Sequence, residues 1–146
     1  MRILMICTND PAGMGIAFTE AINRYTEHSC RLVTTAVKYN FMFKKDLHVP
    51  DIENLESKNE RGRPGSGTFD ELKQELRDAD VFHFHTFADE ETPLGPFRAR
   101  DFMKGKRAIY HQHGEPLRSD PTRFREQSAR RKFIVSTPDL LDLLPE

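Results

Sequence analysis

Short, unbroken apolar runs alternate with stretches of helical periodicity along this chain of 146 residues. Ile3 to Cys7, Leu32 to Val37, Val81 to Phe84, Ala108 to Tyr110 and Phe133 to Val135 each read as a strand. Their apolar character is continuous rather than alternating, which marks strands covered on both faces, as in a parallel sheet. Between the first two runs, Phe18, Ala21, Ile22 and Tyr25 recur at helical spacing. Thr68 with Glu71 forms a capping box ahead of Phe69, Leu72 and Leu76. Ser119 or Asp120 before Pro121 marks a helix start, and Thr137 before Pro138 marks another, leading into Leu140, Leu141 and Leu144. Gly105 is placed to stop a short helix through Phe102 and Met103. Strands alternating with helices predict an α/β fold: one domain over residues 1–146, a doubly wound parallel sheet with helices on both faces. Residues 57–67, rich in Gly, Pro and polar side chains, cannot bury enough surface to order themselves and are expected to form a mobile loop within that domain.

Composition narrows the function classes. Hydrophobic residues make up 37% and charged residues 31%, and the net charge is -1, so no global field recruits nucleic acid or an anionic membrane. The apolar stretch at the N-terminus is too short for a signal peptide or a membrane span. Two cysteines, Cys7 and Cys30, do not make a disulfide framework, and Cys7 at the end of an apolar run is expected to be a buried free thiol in a reducing, cytoplasmic compartment. Arg98, Arg100, Lys104, Lys106, Arg107, Arg123, Arg125, Arg130, Arg131 and Lys132 form a basic stretch. It reads first as a solvated helix face, and otherwise as a surface for an anionic acceptor or for peripheral contact with lipid headgroups. Phe41-Met42-Phe43-Lys44-Lys45 could touch a membrane in the same way or pack its aromatics inward.

Three features carry candidate chemistry. The loop Asn9-Asp10-Pro11-Ala12-Gly13-Met14-Gly15 joins the first strand to the first helix. Its glycines would let backbone approach a ligand, and a helix N-terminus with free N–H groups suits a phosphate, although any tight turn would use the same glycines. A third glycine and an acidic residue after the second strand are missing, so a nicotinamide cofactor is disfavoured, and the Walker ending is absent. The second feature is a pair of His-x-His sequences, His83-Phe84-His85 and His111-Gln112-His113, each at a strand end. Alternation puts each pair on one face, and adjacent strands would bring imidazoles together at the carboxyl edge for acid–base or hydrogen-bonding work. His83 and His111 are expected to be satisfied sheet-end residues, and no open-site logic argues for a metal, though four histidines could ligate zinc. The third feature is Gly114 with Arg118, whose guanidinium could clamp a phosphate or simply lie on the surface near a helix start.

Taken in order, Met1 to Ile6, the glycine loop to Gly15, Ala79 to His85, His111-Gln112-His113-Gly114 and Ile134 to Leu141 resemble the N-terminal domain of GT-B glycosyltransferases, in particular the retaining group that includes phosphatidylinositol mannosyltransferases. The resemblance implies a Rossmann-like domain that mainly binds the acceptor, facing a second domain that holds a nucleotide-sugar donor. It places Gly13 and Gly15 near the donor diphosphate, and His113 and His85 at the reaction centre; Met14, Gly114 and Arg118 join the glycines as substrate- or phosphate-binding candidates read from the residues themselves. It implies no cofactor beyond the nucleotide sugar as co-substrate, no metal, and a sugar, lipid or small-molecule acceptor. No stretch of this sequence can serve as the donor domain, so a further domain or partner subunit is expected, and the chain alone is expected to be inactive. The other reading is a non-catalytic Rossmann-like module or one subunit of a split or degenerate transferase.

Overall fold

The computed structural model describes residues 1–10, 12–36, 44–58, 68–122, 126 and 131–143. A six-stranded sheet forms the centre. Its strands are β1 (Arg2–Cys7), β2 (Ser29–Thr34), β3 (Leu47–His48), β4 (Val81–His85), β7 (Arg107–Gln112) and β8 (Phe133–Val135). They lie in the order β3-β2-β1-β4-β7-β8, and every pairing is parallel. The winding reverses between β1 and β4, where open α/β sheets leave a crevice at their carboxyl ends. The fold is therefore the Rossmann-like single domain that the alternating pattern predicts. A two-stranded antiparallel hairpin, β5 (Pro93–Leu94) with β6 (Phe97–Arg98), is inserted between β4 and β7.

Strand parity divides the side chains between two layers. Leu4 and Ile6 of β1, Val33 of β2, Phe82 and Phe84 of β4 and Tyr110 of β7 join Leu72 and Leu76 of α3 (Phe69–Asp78). Met5, Cys7, Cys30 and Leu32 face the other way and join Ile16 of α1 (Met14–Tyr25). The registers Met5↔His83, Cys7↔His85 and His85↔His111 place the imidazoles of both strands on this α1 face. Alternating Phe and His along β4 thus means one layer of aromatics under α3 and one layer of imidazoles under α1.

Local expectations are met unevenly. Thr68 Oγ1 accepts from the Glu71 backbone N–H at 3.1 Å, but the Glu71 carboxylate turns to Arg31 at 3.0 Å, so only half of the capping box reaches the helix end. Gly105 has φ 76 and follows a 3-10 turn over Ala99–Phe102. The second strand begins at Ser29 and ends at Thr34, and Val37 lies outside the described residues. Of the loop expected over 57–67, Ser57 and Lys58 belong instead to the end of α2 (Val49–Lys58), and residues 59–67 fall outside the described residues. Another helix, α4 (Glu115–Ser119), precedes Pro121. Pro138 opens a 3-10 segment to Leu143, and its Leu140 is buried with Leu117. Much of the basic stretch is paired: Arg98 and Arg100 with Glu91, Arg131 with Glu90, and Lys106 with the backbone carbonyl of Leu76. Residues 41–43 and Arg123, Arg125 and Arg130 lie outside the described residues. Among the described residues no helix is long and apolar enough to cross a membrane.

Candidate functional site

The carboxyl ends of four parallel strands surround one cavity of about 340 Å³, lined by Cys7, Asn9, Asp10, Ala12, Met14, His85, Thr86, His113 and Ser136. Residues after β1, β4, β7 and β8 all contribute, so the cavity sits at the switch point of the sheet. The glycine loop and both His-x-His strand tips meet along this one rim.

The loop after β1 is built by Asp10. Its Oδ1 accepts from the Gly15 N–H at 2.9 Å and its Oδ2 from the Ile16 N–H at 3.0 Å. Gly13 takes φ 65 at the N-cap, a left-handed conformation that glycine adopts without a steric penalty. The two amides expected to be free for a phosphate are therefore taken, because an acidic side chain close by in the loop satisfies them first. Gly13 and Gly15 are buried turn residues outside the cavity lining, whereas Met14 is part of it. Gly114 and Arg118 are also outside the lining; Arg118 lies over Gly114 and pairs with Asp139 at 2.6 Å on the surface.

The imidazoles form a linked stack. Ring centroids stand 4.6 Å apart for His83 and His85, 4.9 Å for His85 and His111, and 4.2 Å for His111 and His113. His85 Nδ1 is 2.8 Å from His113 Nε2, and His113 Nδ1 is 2.7 Å from Ser136 Oγ. Ser136 Oγ also lies 3.2 Å from His111 Nε2. His113 is half-buried and reaches the cavity, while His85 is only 3% exposed and forms its floor. Phe18 of α1 covers His85 and His111, with centroids at 6.2 Å and 5.5 Å.

Enclosure decides the charge of this stack. Burial, reinforced by the neighbouring imidazoles, pushes His83 and His111 down to about 4 and His85 to about 2. Burial also lowers His113, against the pull of the nearby Asp10 carboxylate. At neutral pH the cavity therefore presents neutral imidazoles beside one carboxylate, a set that suits hydroxyl groups better than a phosphate. His83 Nε2, His85 Nε2 and His111 Nδ1 are shut off from solvent with no hydrogen-bond partner. The expectation that His83 and His111 are satisfied residues is met only at His111 Nε2, which has Ser136 Oγ; His83 Nε2 and His111 Nδ1 have no partner, and Phe18, which covers His85 and His111, offers them no polar group.

Three wall residues were not singled out from the sequence. Thr86 has φ 56, and this strained turn is fastened by its N–H to the His111 carbonyl at 2.8 Å and by its carbonyl to Gln112 Nε2 at 3.0 Å. Ser136 follows the last strand directly, with its N–H on the Gln112 carbonyl at 3.1 Å. Its place at a strand tip was a usable signal. Asp10, five residues before Gly15 in the turn, was another. Both cysteines are free and buried.

The fold and site define a Rossmann-like α/β domain with a carboxyl-edge cavity. Comparison with protein-family models, with curated proteins and with solved structures finds no match.

Proposed function

We propose that this chain is the acceptor-side half of a nucleotide-sugar-dependent glycosyltransferase, and that its cavity receives a hydroxyl-bearing acceptor. The observation that carries the reading is the convergence of the loop after β1 with the tips of β4, β7 and β8 on one cavity. Its polar groups, Asp10, His113, Thr86 and Ser136, are a carboxylate and neutral donors and acceptors, the mix that orients a sugar hydroxyl.

In the transfer, an acceptor oxygen bonds to the anomeric carbon as the bond to the nucleotide diphosphate breaks. The oxygen loses its proton and the leaving phosphate gains negative charge. Asp10 and neutral His113 line the cavity and are the groups that can take this proton; for His113 the acceptor hydroxyl has to replace the contact with Ser136 or His85 that now holds its ring. Stabilising the leaving phosphate falls to a donor-binding surface facing this cavity, from a further domain or partner subunit. The unpaired buried thiols fit a reducing, cytoplasmic setting.

The reading of a non-catalytic module is favoured by a different fact: Asp10 occupies the Gly15 and Ile16 amides, and both ring nitrogens of His113 are engaged. Titration of the full chain with simple glycosides and with nucleotide sugars, followed residue by residue by NMR, separates the two. The transferase reading expects glycosides to shift Thr86, His113 and Ser136, and His113→Gln and Asp10→Asn to weaken that binding about tenfold, or about 1.4 kcal/mol. It expects nucleotide sugars to bind weakly and not to turn over on this chain alone. Glycosides that leave these residues unshifted remove the transferase reading.

A further inference from the structure

We propose that His83, His85 and His111 form a binding site for one transition-metal ion of the zinc type, enclosed between the sheet and α1. One ligating atom from each of the three imidazoles lies within 4.8 Å of the other two. Parity and register produce this: His83 and His85 share a face of β4, and His111 is the direct partner of His85 on β7.

An independent observation points to a ligand. Each of the three rings has a nitrogen that is closed to solvent and without a partner: His83 Nε2, His85 Nε2 and His111 Nδ1. His85 and His111 are 3% and 5% exposed. An orphaned buried polar atom is destabilising, and three in one cluster is a burden that a shared ion would remove. The opposite ring nitrogens of two ligands are already held, His85 Nδ1 by His113 at 2.8 Å and His111 Nε2 by Ser136 Oγ at 3.2 Å. Such outer partners set the tautomer and orientation of ligating imidazoles. Burial keeps the rings neutral, the form that binds metal.

The donor set selects the ion. Three imidazoles with no carboxylate suit zinc, cobalt, nickel or copper rather than magnesium or calcium. Tetrahedral bonds of about 2.0–2.1 Å require ligand atoms about 3.3–3.4 Å apart, so binding draws the rings inward from their present spread. Three protein ligands leave a fourth position for water or another small ligand. The inference does not depend on sugar transfer, because it concerns buried nitrogens and is read by metal content alone.

The test is titration of metal-free full chain with Co²⁺ and then Zn²⁺, with metal content measured after dialysis. The expected result is one ion per chain and an intense tetrahedral Co²⁺ visible spectrum that Zn²⁺ abolishes. Ser136→Ala should weaken binding about tenfold through loss of the His111 partner. His83→Gln and His111→Gln should weaken it more, and His28→Gln should change nothing. If either ligand variant fails to fold, Ser136→Ala on the exposed rim still decides. Folded protein that takes up no stoichiometric metal, a weak octahedral Co²⁺ spectrum, or an affinity indifferent to Ser136→Ala and to whichever ligand variants fold overturns the proposal.

Discussion

His85 Nδ1 and His113 Nε2 stand 2.8 Å apart, joining a buried imidazole to one that reaches the cavity. One ring must donate and the other accept, so each sets the tautomer of the other. Removing His113 strands a nitrogen of His85 inside the protein. His113→Ala should therefore destabilise the fold by about 1–3 kcal/mol, the cost of an unsatisfied buried group. Changing both residues should cost less than the two single losses added together. A double-mutant cycle in urea should show a coupling of at least about 0.5 kcal/mol, and simple additivity would remove the linked pair.

Gly15 supports a prediction that runs against helix propensity. It sits in the first turn of α1, where alanine ordinarily gains about 1 kcal/mol over glycine. A Cβ there would meet Cys7 Sγ at 2.9 Å, Leu32 Cδ1 at 3.1 Å and Asp10 Oδ2 at 3.2 Å. Gly15→Ala should instead destabilise the fold by about 1–3 kcal/mol, because the crowded atoms belong to the sheet and to the cap itself. Thermal unfolding checks the sign, and a rise in Tm would mean that α1 yields more readily than this packing implies.

Thr86 is the converse case. A β-branched residue at φ 56 is strained, by about 1–3 kcal/mol. Glycine relieves that strain and loses about 0.4–1 kcal/mol to the extra freedom of the unfolded chain. Thr86→Gly should leave stability unchanged or raise it by about 1 kcal/mol. Thr86 is part of the cavity wall, so losing its side chain should weaken glycoside binding while the protein becomes no less stable. Urea unfolding and ligand titration on the same sample test both halves, and a clear drop in stability would show that the Thr86 side chain contributes packing instead.

The sheet was legible in the sequence because its strands are continuous apolar runs, and the meeting of His85 and His113 followed from alternation and strand adjacency. What escaped notice depends on contacts distant in sequence or on segments shorter than any pattern. β3 is two residues long and runs straight into α2 with Pro50 in its first turn, so neither periodicity nor a clean cap marks it. The β5–β6 hairpin has two residues in each strand. Thr86 carries no sequence mark of its positive φ, since glycine, asparagine or aspartate would normally announce it. The orphaned nitrogens of His85 and His111 lie under Phe18 of α1, a contact distant in sequence that no local pattern encodes.

Glu90 gives the pH dependence its sign. Its Oε1 accepts from Arg131 at 2.6 Å and its Oε2 from the Tyr110 hydroxyl at 3.0 Å, while the Arg131 guanidinium lies 4.5 Å from the Tyr110 ring centroid. Burial alone would push the Glu90 carboxyl up, but its own backbone N–H, Arg131 and Tyr110 outweigh it and hold the carboxyl below its usual value. Burial first, and then the bond to Glu90, pushes the Tyr110 hydroxyl up, so it remains a donor throughout the range in question. The unfolded chain thus takes up a proton at Glu90 before the folded one does. The stabilisation is complete above the ordinary carboxylate value of about 4.3 and is lost as pH falls through the lower folded value. Glu90→Gln should lose about 1–2 kcal/mol at pH 7, a range that already allows for solvent screening of a partly exposed pair. The gap between the two proteins should narrow steadily below about pH 4. Urea unfolding of both at a series of pH values measures this directly, and a gap that stays constant down to pH 3 would mean that the Glu90 charge contributes nothing to holding β7 against the segment before β8.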